Sequence, residues 1–278
     1  GILIAELVLV TAGAGWWQMA ITLAVTLAVA RFISAQPSFA IAAGIQAIIV
    51  MVIPANAPFL RLADGVVGGV AAVLATALIP RSLVRSEIRE ARRVFDSVES
   101  VMGALSQSLR RGDRRRAERG LEKARGLQKP VDDWHATLDT AISVARISPF
   151  MHAQGHELTR HERIRHHVDF ASRNLRVVAR RTVYLTADGV ARPVAADLLS
   201  DIARGAAVLA DSLDDISLEP IAREALRAVA ARLDPSLLLP DASAVDQGLI
   251  GALRPLVVDL LMASGMSGPD ASACVPRV

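Results

Sequence analysis

The chain has 278 residues, 52% of them hydrophobic, with a formal net charge of +3 and one cysteine, Cys274. A single cysteine excludes an intrachain disulfide and a cysteine-based metal cage. The excess of arginine comes without the stacking aromatics or reading helix that nucleic acid requires, so no nucleic-acid partner is expected.

The charges are unevenly placed. Glu6, Arg31, Arg61 and Asp64 are the only four among residues 1–80, and the other 55 follow. A charge at a bilayer centre costs ~2.5–3.5 kcal/mol, so segments in lipid exclude charges that a water-facing surface needs. The expected fold class is therefore all-α, with transmembrane helices over residues 1–80. A cytoplasmic helical bundle follows over 81–234, with long coiled-coil-like helices, and then a C-terminal extension over 235–278.

In chain order, the first apolar segment is Gly1 to Ala12, closed by Gly13-Ala14-Gly15. It has no initiator Met and opens inside an apolar run, which reads as the tail of a span whose upstream part is missing. The second runs from Trp16 to Ile33, about 27 Å of helix at ~1.5 Å per residue. The third, Phe39 to Ile53, is shorter, and the fourth runs from Leu62 to Ile79 before Pro80. Arg81, Arg85 and Arg89, with Arg92 and Arg93, come directly after it; such clusters stay on the cytoplasmic side and suit anionic headgroups. Counting back, the Pro54–Pro58 loop faces outward and the Ser34–Ser38 turn faces inward.

Polar residues inside this block carry the candidate chemistry. Glu6 lies about 9 Å from the end of its segment, deep enough to leave water, and a buried carboxyl can carry a proton. Gln46 falls in the middle of the third segment, where its amide can hydrogen-bond a passing solute. Arg31, Arg61 and Asp64 suit the interfaces, where they pair, snorkel or attract an anion. Gly65 and Gly69 form a G-x-x-x-G helix-packing face.

Beyond Pro80 the pattern changes to heptads. Ile88, Phe95, Met102 and Leu109 recur every seven residues, interleaved with Val84, Ala91, Val98 and Leu105, and Gly112 ends the run. The next stretch passes through Ala117, Ala124, Val131 and Leu138, where Pro130 must kink the helix or restart it. Ser148-Pro149 breaks the chain again. A third helix carries Ile164, Ala171, Val178 and Leu185, ending near Asp188-Gly189. Helices over Pro193–Asp215 and Glu219–Leu233 follow, the latter with Ser217 as N-cap and Pro220 in its first turn. Val245 to Met262 is one more helix, interrupted by Pro255, and disorder is expected from Ser264 onward.

No catalytic fingerprint is present, so neither an enzyme nor a cofactor is expected. His161-Glu162 begins like a zincin motif, but His166 follows at five residues rather than four, about 500° around a helix, and the geometry fails. His152 and His156 have i, i+4 spacing without a third ligand, so no metal is expected either. The arginines from Arg110 to Arg119 read as a solvated corner between helices.

A short-span membrane block followed at once by an arginine-rich helical domain resembles the FUSC family, the fusaric-acid-resistance and aromatic acid exporter-like proteins, in its actinobacterial form. The stretches that carry the resemblance are Phe39-Ala40-Ile41-Ala42-Ala43 with Gln46, and Asp64-Gly65-Val66-Val67-Gly68-Gly69 running to Ile79-Pro80-Arg81. In the second half they are Ala145 to Phe150 and Asn174 to Arg181. The resemblance implies efflux of aromatic carboxylic acids or related amphiphilic anions across the cytoplasmic (inner) membrane by a multi-pass homodimer. It also implies about two spans upstream of Gly1. Plant aluminium-activated malate transporters are similar in layout, which leaves an anion channel open. A non-transporting membrane scaffold with a helical interaction domain is the rival class.

Overall fold

The computed structural model describes residues 2–13, 15–34, 37–53, 60–78, 81–147 and 154–277, of which 60–62, 75–78, 81–82 and 147 are described by backbone alone. The protein is all-α, with no strand among the described residues, and divides into two compact units, Gly1–Leu78 and Ile79–Val278. The break falls two residues before the expected one. The Pro54–Pro58 loop, residues 35 and 36 of the Ser34–Ser38 turn and the Ser148-Pro149 break lie outside the described residues.

The first unit holds α1 (Ile2–Ala12), α2 (Trp16–Ile33), α3 (Pro37–Val52) and α4 (Leu60–Leu78). Gly13, at φ 77, takes the left-handed turn that ends α1, a conformation costly to side chains with a Cβ. α3 starts two residues before Phe39 because Pro37 fits the first helical turn, where its missing N–H is not needed. Gly44 lets α3 close on α2: a Cβ there would lie 3.2 Å from Leu23 and 3.3 Å from Leu27. Ala5, Ala47, Val50 and Met51 form a small apolar contact between α1 and α3.

The second unit is a bundle of α5 (Arg81–Arg111), α6 (Arg114–Arg125), α7 (Gln128–Ile147), α8 (Gly155–Leu185), α9 (Pro193–Asp211), α10 (Glu219–Ala230), α11 (Pro235–Leu238), α12 (Ala244–Ala263) and α13 (Gly268–Ala273). The expected seam of α5 is buried from Ala91 to Leu109, with Val84 and Ile88 only half-buried at its start. Each fully buried Leu or Met contributes about 1.5–3 kcal/mol. The α5–α6 corner closes on Gly112, at φ 64, with the Asp113 N–H donating to the Ser108 carbonyl (2.9 Å). Asp113 then caps α6 by accepting from the Arg116 N–H (3.0 Å). Pro130 restarts the chain as α7, standing in its first turn.

Expectations fail at three places beyond Pro193. Ser217 does not cap α10: Asp215 caps a short 3-10 turn instead, accepting from the N–H and hydroxyl of Ser217, and α10 begins directly after that turn. Pro255 does not interrupt α12, and residues 235–278 are no extension. Leu249, Ile250, Leu253, Leu256, Val257, Leu260 and Leu261 are all buried, against α8 and its neighbours. Seven such side chains at about 1.5–3 kcal/mol each outweigh the ~3 kcal/mol cost of an interior proline.

The third failure is the disorder expected from Ser264. Gly265 turns at φ 89, Ser267 caps α13 through the Asp270 N–H (3.3 Å), and Ala271 and Val275 are buried. Arg192 fixes the α8–α9 turn to α12 by bonding Asp188 and Asp246 together. Its hydrogen bond holds the Asp188 carboxyl down to about 2.

Candidate functional site

In the first unit the usual distribution of polarity is inverted. α2 buries Gln18, Thr22, Thr26 and Ala30, spaced four apart along one face, and turns Trp16, Ile21, Val25 and Phe32 outward, Phe32 being 94% exposed. α1 buries Glu6 and leaves Leu3, Leu7 and Val10 exposed. The Gln18 side-chain amide donates to the Ala12 carbonyl (3.1 Å), which ties the start of α2 to the end of α1. From that tie Glu6 lies about 9 Å back along α1, while Thr22 and Thr26 lie about 6 and 12 Å along α2. The carboxyl and the two hydroxyls are buried on two helices that pack together.

Gln18 Oε1, Thr22 Oγ1 and Thr26 Oγ1 are buried without a hydrogen-bond partner among the described residues. Threonine in a helix normally bonds the carbonyl four residues back, as Thr11 does with Leu7 (2.7 Å). An unmet buried polar atom costs about 1–3 kcal/mol. Three in one stripe offer water or a polar solute a row of hydrogen-bonding atoms.

The other sequence-predicted residues lie apart from this stripe. Gln46 is exposed on α3, beside Ile45 and Ile49, and not on the face with Glu6. Arg31 is exposed in the last turn of α2, where the helix dipole favours a cation. Asp64 is exposed on α4; the side chains of Arg61 and Arg81 lie outside the described set. Gly65 packs near α1, since a Cβ there would come within 2.9 Å of Ile2, whereas Gly69 faces open space. Arg85 and Arg89 are exposed and form no ion pair among the described residues, while Arg92 pairs with Asp214 and Arg93 with Glu90 (2.8 Å).

By length and composition only Trp16–Ile33, among the described residues, is both long and apolar enough to cross a membrane. Ile2–Ala12, Pro37–Val52 and Ala63–Leu74 are shorter apolar helices. Gln18, Thr22 and Thr26 escape a sequence reading because single Thr and Gln residues barely dent a hydropathy run. Their i, i+4, i+8 spacing is the signal that finds them.

The second unit contains a sealed polar cluster that the sequence did not announce. Glu87, Trp134 and His161 are fully buried. Trp134 Nε1 donates to Glu87 Oε2 (2.9 Å), and His161 Nδ1 bonds Glu87 Oε1. Arg160 donates to the Ser212 carbonyl (2.7 Å) and approaches His161 Nε2 (3.1 Å). His161 Nε2 also lies 3.2 Å from the Leu213 carbonyl. With no access to solvent this cluster holds helices together and reaches no substrate.

His166 is exposed and packs edge-on against Phe170, on a different face from His161, as the failed zincin spacing implies. His152 lies outside the described residues, and no group of three metal-ligating side chains occurs among those described.

No family model matches the chain, and no solved structure matches it. It is similar to an uncharacterized protein of Corynebacterium glutamicum, 28% identical over 283 residues, which cover 98% of this chain and 72% of that protein.

Proposed function

We propose that the chain belongs to a membrane transport protein that exports aromatic carboxylic acids or related amphiphilic anions across the cytoplasmic membrane. The observation that carries this reading is the inverted polarity of the first unit. Apolar side chains face outward, and Glu6, Gln18, Thr22 and Thr26 face inward with three polar atoms unmet. Lipid accepts the outer face, and a hydrated passage accepts the inner one. Glu6 supplies the group that can exchange a proton as an anion passes, and the hydroxyl stripe replaces part of the anion's hydration. Arg31 draws anions to one mouth. In a homodimer, the second copy covers α4, where Gly68 and Gly69 leave open space.

The test is efflux of a benzoate-type acid from proteoliposomes holding the full-length protein. Glu6→Gln and the pair Thr22→Val with Thr26→Val are each expected to slow efflux several-fold without loss of protein from the membrane. Wild-type rates in both variants would remove the passage and leave a membrane-anchored scaffold as the better account.

A further inference from the structure

The second unit carries a groove of about 940 Å³ lined by α5, α6 and α9. Its lining includes the small residues Gly103, Ala104, Ala203 and Ala207, and two hydroxyls, Ser106 and Ser200, that bond each other (2.7 Å). Above this floor Arg116, Arg119 and Lys123 stand at i, i+3 and i+7 on α6, a single helical face turned to the groove.

What separates these three from an ordinary surface stripe is that carboxylates do not neutralise them well. Arg110 and Arg204, which also line the groove, are paired with Asp197 (2.6 Å) and Asp201 respectively. Arg116 instead bonds the neutral amide of Gln107; the Asp113 carboxylate stays 3.6 Å from its Nε, which is buried without a hydrogen bond. Lys123 bonds only the Ser100 hydroxyl (2.9 Å). Arg119 forms neither a hydrogen bond nor an ion pair among the described residues. Like charges at this spacing repel by about 0.2–0.5 kcal/mol per pair, and a shared oxyanion removes that penalty.

Two carboxylates also line the groove, next to the Ser100 hydroxyl that Lys123 bonds. They are Asp96 and Glu99, about 12–17 Å back along α5 from Gln107. The groove is of a size for one small organic molecule (~300–1,000 Å³) and is lined by no aromatic residue on which a nucleic-acid base would stack.

We infer that this groove binds a small multivalent oxyanion, phosphate-bearing or dicarboxylate, through Arg116, Arg119 and Lys123. Asp96 and Glu99, near Lys123, accept hydrogen bonds from hydroxyl or amino groups that the ligand carries. The inference concerns the bundle alone and stands whether or not the first unit transports anything.

Calorimetric titration of the detergent-solubilised full chain at physiological salt, with inorganic pyrophosphate in one arm and succinate in the other, tests it. Saturable binding in at least one arm is expected, weakened about tenfold or more by Arg119→Ala and by Lys123→Ala, since each removes a charge-assisted bond. Arg125→Ala, on an exposed arginine outside the groove, is expected to leave binding unchanged. Pyrophosphate alone identifies a phosphate-bearing ligand, succinate alone a dicarboxylate, and both together a general oxyanion site. Arg119 and Lys123 hold no ion pair, so both variants are expected to melt as wild type. No saturable binding in either arm, or binding that survives both substitutions, overturns the inference.

Discussion

A carboxylate sealed from water has to be met donor by donor, and Glu87 is met by Trp134 and His161. Removing it leaves an indole N–H and an imidazole stranded in the core. Glu87→Ala is expected to cost about 3–5 kcal/mol in chemical denaturation, the range for breaking a buried pair from one side. A loss of about 0.5 kcal/mol, the range of ordinary surface changes, would contradict the assignment. Asp259 behaves oppositely. Burial raises its carboxyl above the usual range, against the pull of a hydrogen bond from Asn174 (2.6 Å). The unfolded chain therefore ionises first as pH rises, and the fold bears a penalty at neutral pH that vanishes below the unfolded value. Asp259→Asn is expected to raise the melting temperature at pH 7 and to leave it unchanged near pH 3. A gain of equal size at both would contradict it. Neither residue was legible from hydropathy. Glu87 lies on a second buried stripe of α5, continued by Val94, Val101 and Ser108, and its polar ends hide it from a search for apolar repeats.

Among the elements, the α5–α6 corner shows what a sequence can announce. Gly112 marks the end of a heptad run, and the structure places it at φ 64, where a Cβ would lie 2.2 Å from the Gly189 carbonyl oxygen. Gly112→Ala combines left-handed strain of about 1–2 kcal/mol with that clash, so a loss above 2 kcal/mol is expected in denaturant unfolding. A neutral result would mean that the corner relaxes. The seam of α5 was readable because seven-residue spacing is set within the helix itself. The course of α12 was not. Pro255 is a local signal for a break, and it is overruled by burial against α8, which no local pattern reveals. The tail beyond Ser264 misleads for the same reason: Gly, Ser and Pro suggest disorder, yet Ser267 and Asp270 cap a helix whose Ala271 is buried.

At the scale of the molecule the charge break located the division into two units to within two residues, because solvent acts on every residue at once. The polar stripe was only partly foreseen. Glu6 is inside, but Gln46 is outside, since a lone polar residue in an apolar run does not reveal which helix face it occupies. The full chain is expected to enter the detergent phase on Triton X-114 partitioning and to precipitate when detergent is withdrawn. A monodisperse monomer in detergent-free buffer would remove the membrane reading, and with it the exporter.

α5, α6 and α7 pack on α8 as soon as it is made, but the part of α8 that meets α12 has no cover until α12 has been made. The two helices end roughly 80 residues apart, a wait of about 4–16 s at a synthesis rate of ~5–20 residues per second. During that interval a ribosome-bound chain presents that part of α8 to solvent. A holding chaperone binding this stretch co-translationally, released once residue 263 clears the exit tunnel, is the expected companion of its biogenesis. Ribosome profiling selective for chaperone-engaged chains would show the window open after α8 and shut after α12.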